Sequence, residues 1–159
     1  MKALSKILFL ALSTIALISC LDSEYQSSPQ MYVSNAYRSS LAGVQDTIHF
    51  GDTIHVGDTV RVPLLLVGQY NILTTFQVST DKSAFDYRLL GDTTYAHLIA
   101  ADSKLEEGYL HFNEGCFSFP VVLYYVAKEK GDYQFQFVLA SNASEKFSPR
   151  SGAVTQPVR

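Results

Sequence analysis

His49 and His55 are the side chains whose type and spacing most invite a chemical reading. They fall at matching places in DTIHFG and DTIHVG, with Asp46, Asp52 and Asp58 beside them. Two neutral imidazoles on adjacent short strands suit Zn²⁺, and a carboxylate can complete the shell. The spacing matches no zinc-ligand pattern, however, and Asp52 and Asp58 each follow a glycine, as turn-forming aspartates do. No metal is expected. Asp81 and Asp86 flank a turn, but no loop of alternating oxygen ligands around a central Gly holds them, so Ca²⁺ is not expected either. Glycoside hydrolysis would need two carboxyls facing across a cleft, one with a raised pKa, and no such pair stands out. Cys116, in Gly-Cys-Phe-Ser-Phe, reads as a small core residue. A thiol nucleophile needs a positioned base, and His111 is the nearest in sequence. There is no Gly-x-Ser-x-Gly, P-loop, His-Glu-x-x-His or dinucleotide fingerprint. The expectation is no catalytic residue, no cofactor and no enzyme.

The elements that would position these residues begin with a repeat. Residues 46–63 read DTIHFG, DTIHVG, DTVRVP, three near-copies of one unit. Ile48 and Phe50, Ile54 and Val56, Val60 and Val62 share one parity, with Thr, His and Arg on the other, which is strand alternation. Gly51-Asp52 and Gly57-Asp58 punctuate the copies, and the same dipeptide returns at Gly91-Asp92 and Gly131-Asp132. The first two copies read as a kinked edge strand, and the third runs on through Leu64 and Leu66. Pro63 removes a ladder donor there, so that strand must be at an edge or bulged.

Further strands follow from parity. Ile72, Phe76 and Val78 form one inward set, and Phe85, Tyr87 and Leu89 another. Strands are also expected at 109–112, 119–127 and 153–158. Tyr133, Phe135, Phe137 and Leu139 alternate with Gln134 and Gln136, the cleanest period-two pattern in the chain. Residues 93–108 read as a short helix ended by Gly108, although 95–100 suits a strand equally. Tyr124 and Tyr125 cannot both point inward, so one parity of the 119–127 strand keeps an apolar outer face. The 93–108 segment would cover that face; otherwise it is a partner patch or a sugar-stacking platform.

The first residues do not belong to this pattern. Lys2 and Lys6 precede an apolar run from Ile7 to Ile18 that is followed by polar sequence, which reads as a secretory signal and not a membrane span. Leu17-Ile18-Ser19-Cys20 resembles the lipobox of bacterial lipoproteins. That resemblance implies cleavage before Cys20 and lipid on its sulfur, taking 19 of the 159 residues and leaving 140. Losing Lys2 and Lys6 from 12 basic side chains against 15 acidic ones leaves a formal charge of −5. No basic stripe remains to grip phosphates, so nucleic acid is not an expected partner. With Cys20 lipidated, Cys116 has no disulfide partner. Residues 20–45, rich in Ser, Gln and Asn, read as a flexible tether. Asp22 and Glu24 partly resemble the acidic export signals of Bacteroidota surface lipoproteins, which leaves the periplasmic and cell-surface faces of the outer membrane both open.

Residues 46–159 then form the folded domain, expected to be an all-β, immunoglobulin-like Greek-key sandwich of seven to eight strands with possibly one short helix. Lys130-Gly131-Asp132-Tyr133 entering Phe135-x-Phe137 resembles the E–F corner of immunoglobulin-like modules. The core Trp and the inter-sheet disulfide of antibody domains are absent, so that resemblance is to the wider sandwich class; together with the lipobox, the chain resembles small Bacteroidota-type lipoproteins carrying one such domain. It implies a lipid-anchored envelope protein with a non-catalytic module that binds a protein partner or a glycan. The alternatives are a structural subunit of an envelope assembly, with 46–56 as an exchangeable edge, and a small hydrolase. Binding is expected at the end loops 69–73 and 115–118, represented by Tyr70 and Phe117, or on the Tyr124 face. Anchoring through Cys20 has a direct measurement: a metabolic fatty-acid label on the wild-type protein should vanish in Cys20→Ala, and undiminished label on the variant would exclude it.

Overall fold

A computed structural model describes residues 26–159; Cys20 and the expected leader lie outside the described residues. Alternating apolar and polar residues build ten strands: β1 (Gln30–Val33), β2 (Ala36–Ser39), β3 (Gln45–Ile48), β4 (Thr59–Val67), β5 (Leu73–Ser79), β6 (Phe85–Gly91), β7 (Tyr109–His111), β8 (Ser118–Ala127), β9 (Gly131–Ser141) and β10 (Arg150–Val158). One sheet has the order β3-β2-β4-β8-β6, with β1 also paired to β4, and the other has the order β10-β9-β5-β7. Every strand pairing is antiparallel. The chain changes sheets at each step from β4 to β9, which leaves β8 between β4 and β6 and β9 between β5 and β10. Such crossings are Greek-key connections, and the fold is an immunoglobulin-like sandwich.

Two strands exceed the expected count because β1 and β2 arise from the stretch read as a tether. Both lie along β4. Val33 pairs with Leu64 and Tyr37 with Arg61, so β1 and β2 carry one residue more than β4 between those points. This is a β-bulge, and it falls opposite Pro63. The Pro63 carbonyl accepts from the Ser34 N–H at 3.0 Å, and its missing N–H lies on the same side, where the ladder is already broken. Packing starts earlier still. Asn71 Nδ2 donates to the Ser27 carbonyl at 3.0 Å, and the Ser144 N–H donates to Gln26 Oε1 at 3.0 Å. Packing therefore reaches back at least to Gln26, well before Asp46.

The repeat makes turns as much as strands. The Asp52 N–H donates to the His49 carbonyl at 3.0 Å while Asp52 Oδ2 accepts from the His49 N–H at 2.8 Å. Asp58 and His55 repeat both bonds at 3.0 and 2.9 Å. Gly51 (φ 98°) and Gly57 (φ 90°) occupy the third position of each turn, where positive φ requires glycine. The first copy supplies β3 and the third opens β4. The second does not continue an edge strand, as its alternation predicts. Ile54 crosses to the other sheet and bridges Val158 of β10 in parallel, donating to the Pro157 carbonyl at 3.1 Å and accepting from Arg159 at 2.9 Å.

The inward parity holds through β4, where Val60, Val62, Leu64 and Leu66 are buried, and through Phe135, Phe137 and Leu139 of β9. It fails at the start of β5. A register shift between Leu73 and Thr75 puts Leu73 in the core and leaves Ile72 partly exposed. Phe135 is the hub of the interior, with ring centroids 4.8 Å from Tyr125, 5.0 Å from Phe85 and 5.7 Å from Phe50. The Tyr125 hydroxyl donates to Gln156 Oε1 at 2.7 Å, and Gln156 Nε2 donates to the Asp52 carbonyl.

Residues 93–108 form two short 3-10 turns, Thr93–Leu98 and Leu105–Glu107, the second ended by Gly108 in the left-handed conformation (φ 77°). They do not cover the outer face of β8. Tyr95 packs on Phe119 at 6.2 Å, and Ile99 and Leu105 approach Gly91, so the segment closes the side of the core between β6 and β7. Phe135→Ala should cost roughly 3–5 kcal/mol, whereas Gln136→Ala, on the exposed parity, should stay within about 0.5 kcal/mol. Urea melts of the two variants measure this, and similar losses at both positions would contradict the register of β9.

Candidate binding surface

The chemistry-bearing residues singled out in the sequence are each engaged locally. Asp52 and Asp58 accept from His49 and His55 backbone N–H groups, as turn formers do. Among the described residues, no three His, Cys, Asp or Glu side chains converge as a metal site would require. Asp81 Oδ1 accepts from the Ser83 N–H and hydroxyl at 2.8 and 2.7 Å. Those bonds hold the Asp81 carboxyl below its ordinary range, the reverse of what a general acid requires. Asp86 pairs with Lys128 at 2.8 Å. His111 Nδ1 lies 2.8 Å from Asp102, whose carboxyl is lowered by that contact. Cys116 is fully buried, with its Sγ 3.7 Å from the Ser118 carbonyl. Burial pushes its thiol up to about 11, away from the thiolate that a nucleophile needs.

The three surface aromatics have different fates. Tyr70 (69% exposed) and Phe117 (50%) stand on neighbouring loops at one end of the sandwich. Those loops are tied together by the Gly68 N–H donating to the Phe117 carbonyl at 2.8 Å. This is also the end where Gln26 and Ser27 dock. Tyr124 faces outward, but it is half-buried. The guanidinium carbons of Arg88 and Arg61 lie 5.0 and 5.9 Å from its ring centroid, reaching in from the two strands that flank β8. Cations already engage that ring, which leaves it poorly placed to stack on a sugar.

A feature absent from the sequence reading lies further along the same outer face. Cross-strand register places Thr47, Tyr37, Arg61, Tyr124 and Arg88 in one row across β3, β2, β4, β8 and β6. The next row holds Gln45, Ser39 and Thr59. Where β3, β2 and β4 meet, a groove of about 430 Å³ is lined by Tyr37, Arg38, Ser39, Gln45, Asp46, Thr47, Thr59 and Arg61. Arg38 Nε donates to Asp46 Oδ1 at 2.9 Å, and a second bond joins its terminal nitrogen to the other carboxylate oxygen. This bidentate pair lowers the Asp46 carboxyl and raises the Arg38 guanidinium from their ordinary values. Arg38 also lies 3.8 Å from the buried carboxylate of Asp58. The Tyr37 ring is 57% exposed.

No protein-family model matches this chain, and no curated protein matches it. Among solved structures it is similar to a DUF4466 family protein from Parabacteroides merdae, with 13% identity, a TM-score of 0.47, and coverage of 81% of this chain and 44% of that one. It is also similar to the C-terminal domain of the Streptococcus pyogenes antigen I/II-family protein AspA, with 17% identity, a TM-score of 0.47, and coverage of 85% and 47%. The chain spans less than half the length of either structure.

The groove residues were hidden for a specific reason. Tyr37 and Arg38 sit in the Ser-rich stretch read as a tether, where the short runs Met31-Tyr32-Val33 and Ala36-Tyr37 were the available strand signal. The Cys116 environment yields a measurement. Raising a thiol from 9.0 to about 11 cuts its thiolate fraction about a hundredfold near neutral pH. Iodoacetamide at pH 7.5 should therefore label Cys116 at least about a hundredfold more slowly in the native protein than in urea. Comparable rates would mean that the thiol is accessible and activated.

Proposed function

We propose that this protein is a lipid-anchored bacterial outer-membrane lipoprotein whose β-sandwich is a non-catalytic binding module for a glycan or protein of the envelope. The observation that supports this reading is the placement of the two ends. Gln26 and Ser27, the first described residues, dock beside loops 68–72 and 142–149. The groove lies at the opposite end of β4, a strand of nine residues that spans on the order of 25–30 Å. From Cys20 to Gln26 the chain can extend at most about 20 Å. A lipid on Cys20 would therefore hold the Tyr70 and Phe117 loops near the bilayer and direct the groove away from it. On this reading those loops are the membrane-proximal end, and the groove is the surface offered to a partner. Arg38 and Asp46 alternate in parity with Tyr37 and Thr47, so their paired side chains lie toward the other face of the sheet and are committed to each other.

Site-specific fluorophores test the orientation in the full-length lipidated protein in liposomes. A label on Phe117→Cys should be quenched strongly by headgroup-quencher lipids, and one on Leu41→Cys, 81% exposed beyond β2, only weakly. Both should lose quenching when Cys20→Ala is added. Equal quenching at the two positions would contradict the proposed orientation. Quenching that survives Cys20→Ala would contradict the anchor. Turnover of ester, peptide or glycoside substrates by the same protein would contradict the non-catalytic assignment.

A further inference from the structure

The groove carries a narrower assignment, which rests on its reading as a binding module. Its lining combines three kinds of group in one place. Tyr37, on β2, presents a ring that is 57% exposed, between Thr47 on one side and Arg61 on the other. Ser39, Thr47 and Thr59 supply hydroxyls and Gln45 an amide, each able to donate and accept. The charges of the lining are not equivalent. Arg38 is held by the carboxylates of Asp46 and Asp58. Arg61 forms no ion pair among the described residues; its recorded contact is with the Tyr124 ring at 5.9 Å. Arg61 is thus the positive group of the groove left open to a ligand, and Asp46 is already neutralised by Arg38.

We infer that the groove binds a sugar bearing a carboxylate, such as a uronic or sialic acid residue of an envelope or host glycan. The C–H face of the pyranose would lie on the Tyr37 ring and its carboxylate on the Arg61 guanidinium, whose planar fork matches carboxylate geometry. The sugar hydroxyls would meet Ser39, Thr47, Thr59 and Gln45. A volume of about 430 Å³ falls in the range of small-ligand sites. A polyphosphate would find a single open arginine, a poor match for its charge. The row explains why the site is here and not at Tyr124: the Tyr124 ring is engaged by two arginines, whereas the Tyr37 ring is offered outward.

Calorimetric titration of the full-length protein in detergent tests this with two matched pairs of probes. Trigalacturonic acid is compared with its methyl ester, and 3′-sialyllactose with its methyl ester; each pair keeps the sugar skeleton and removes the charge. At least one acidic probe should bind saturably and about tenfold or more tighter than its neutral partner. Arg61→Gln should erase that difference by weakening acidic binding at least about tenfold, Tyr37→Ala should weaken both, and Tyr37→Phe should retain both. Melting temperatures of the variants should stay close to wild type because both side chains are surface groups. Absence of binding by both acidic probes, or equal affinity within each pair, overturns the acidic-sugar assignment. So does indifference to Arg61→Gln. Tighter binding of the neutral member of a pair, or binding of an envelope protein cross-linked at the groove and lost in Tyr37→Ala, also overturns it, while leaving the binding-module reading intact.

Discussion

The buried amide of Gln156 ties together three parts of the molecule. Its oxygen accepts from Tyr125 of β8, in one sheet, and its nitrogen donates to the carbonyl of Asp52, in the first repeat turn. Gln156 itself lies on β10, the edge of the other sheet, and is fully buried. In an apolar interior a polar group left without its partner costs on the order of 1–3 kcal/mol, so each member of this chain of bonds fixes the other two. Burial raises the Tyr125 hydroxyl well above its ordinary value, which keeps it protonated as the donor. The crossing of the second repeat copy from one sheet to the other is anchored at this point.

The groove depends on that crossing. Between two identical Gly-Asp turns, Ile54 closes the sandwich against β10, and the chain then returns to start β4 at Thr59. The return places Asp58 under Arg38 and sets the phase of β4 so that Arg61 emerges beside Tyr37. Arg38 pairs with Val60, which faces the core, and its charge is accommodated there by the carboxylates of Asp46 and Asp58. The bulge opposite Pro63 is the other adjustment. It lets β1 and β2 share one strand of the sheet despite the proline, and so keeps Tyr37 in the row with Thr47 and Arg61.

These features divide the sandwich into ends with different chemistry. One end gathers the loop aromatics Tyr70 and Phe117 around Gln26 and Ser27. The other carries a polar groove with an open cation and an exposed ring. Strand ladders hold the two apart at a fixed separation, because β4 and β8 run antiparallel over their whole paired length.

Period-two alternation by itself determined the all-β class and most of the core: Val60, Val62, Leu64, Leu66, Phe76, Phe85, Leu89, Phe135, Phe137 and Leu139 are buried where parity puts them. It determined these because each strand buries one face, and that requirement is local to a few residues. The Gly-Asp turns at 51–52 and 57–58 were legible for the same reason, since positive φ at a turn is a single-residue demand. Tertiary structure decided the rest. Ile54 looks like its neighbours in the repeat, yet only the position of β10 sends it to the other sheet. Ile72 yields its core place to Leu73 because of a bulge that no periodicity records. Tyr37, Arg38, Asp46 and Arg61 are scattered along the sequence, in part within a polar stretch of low apolar content. They meet because hydrogen-bond register aligns three strands, and register is a property of the paired sheet that no one strand carries alone.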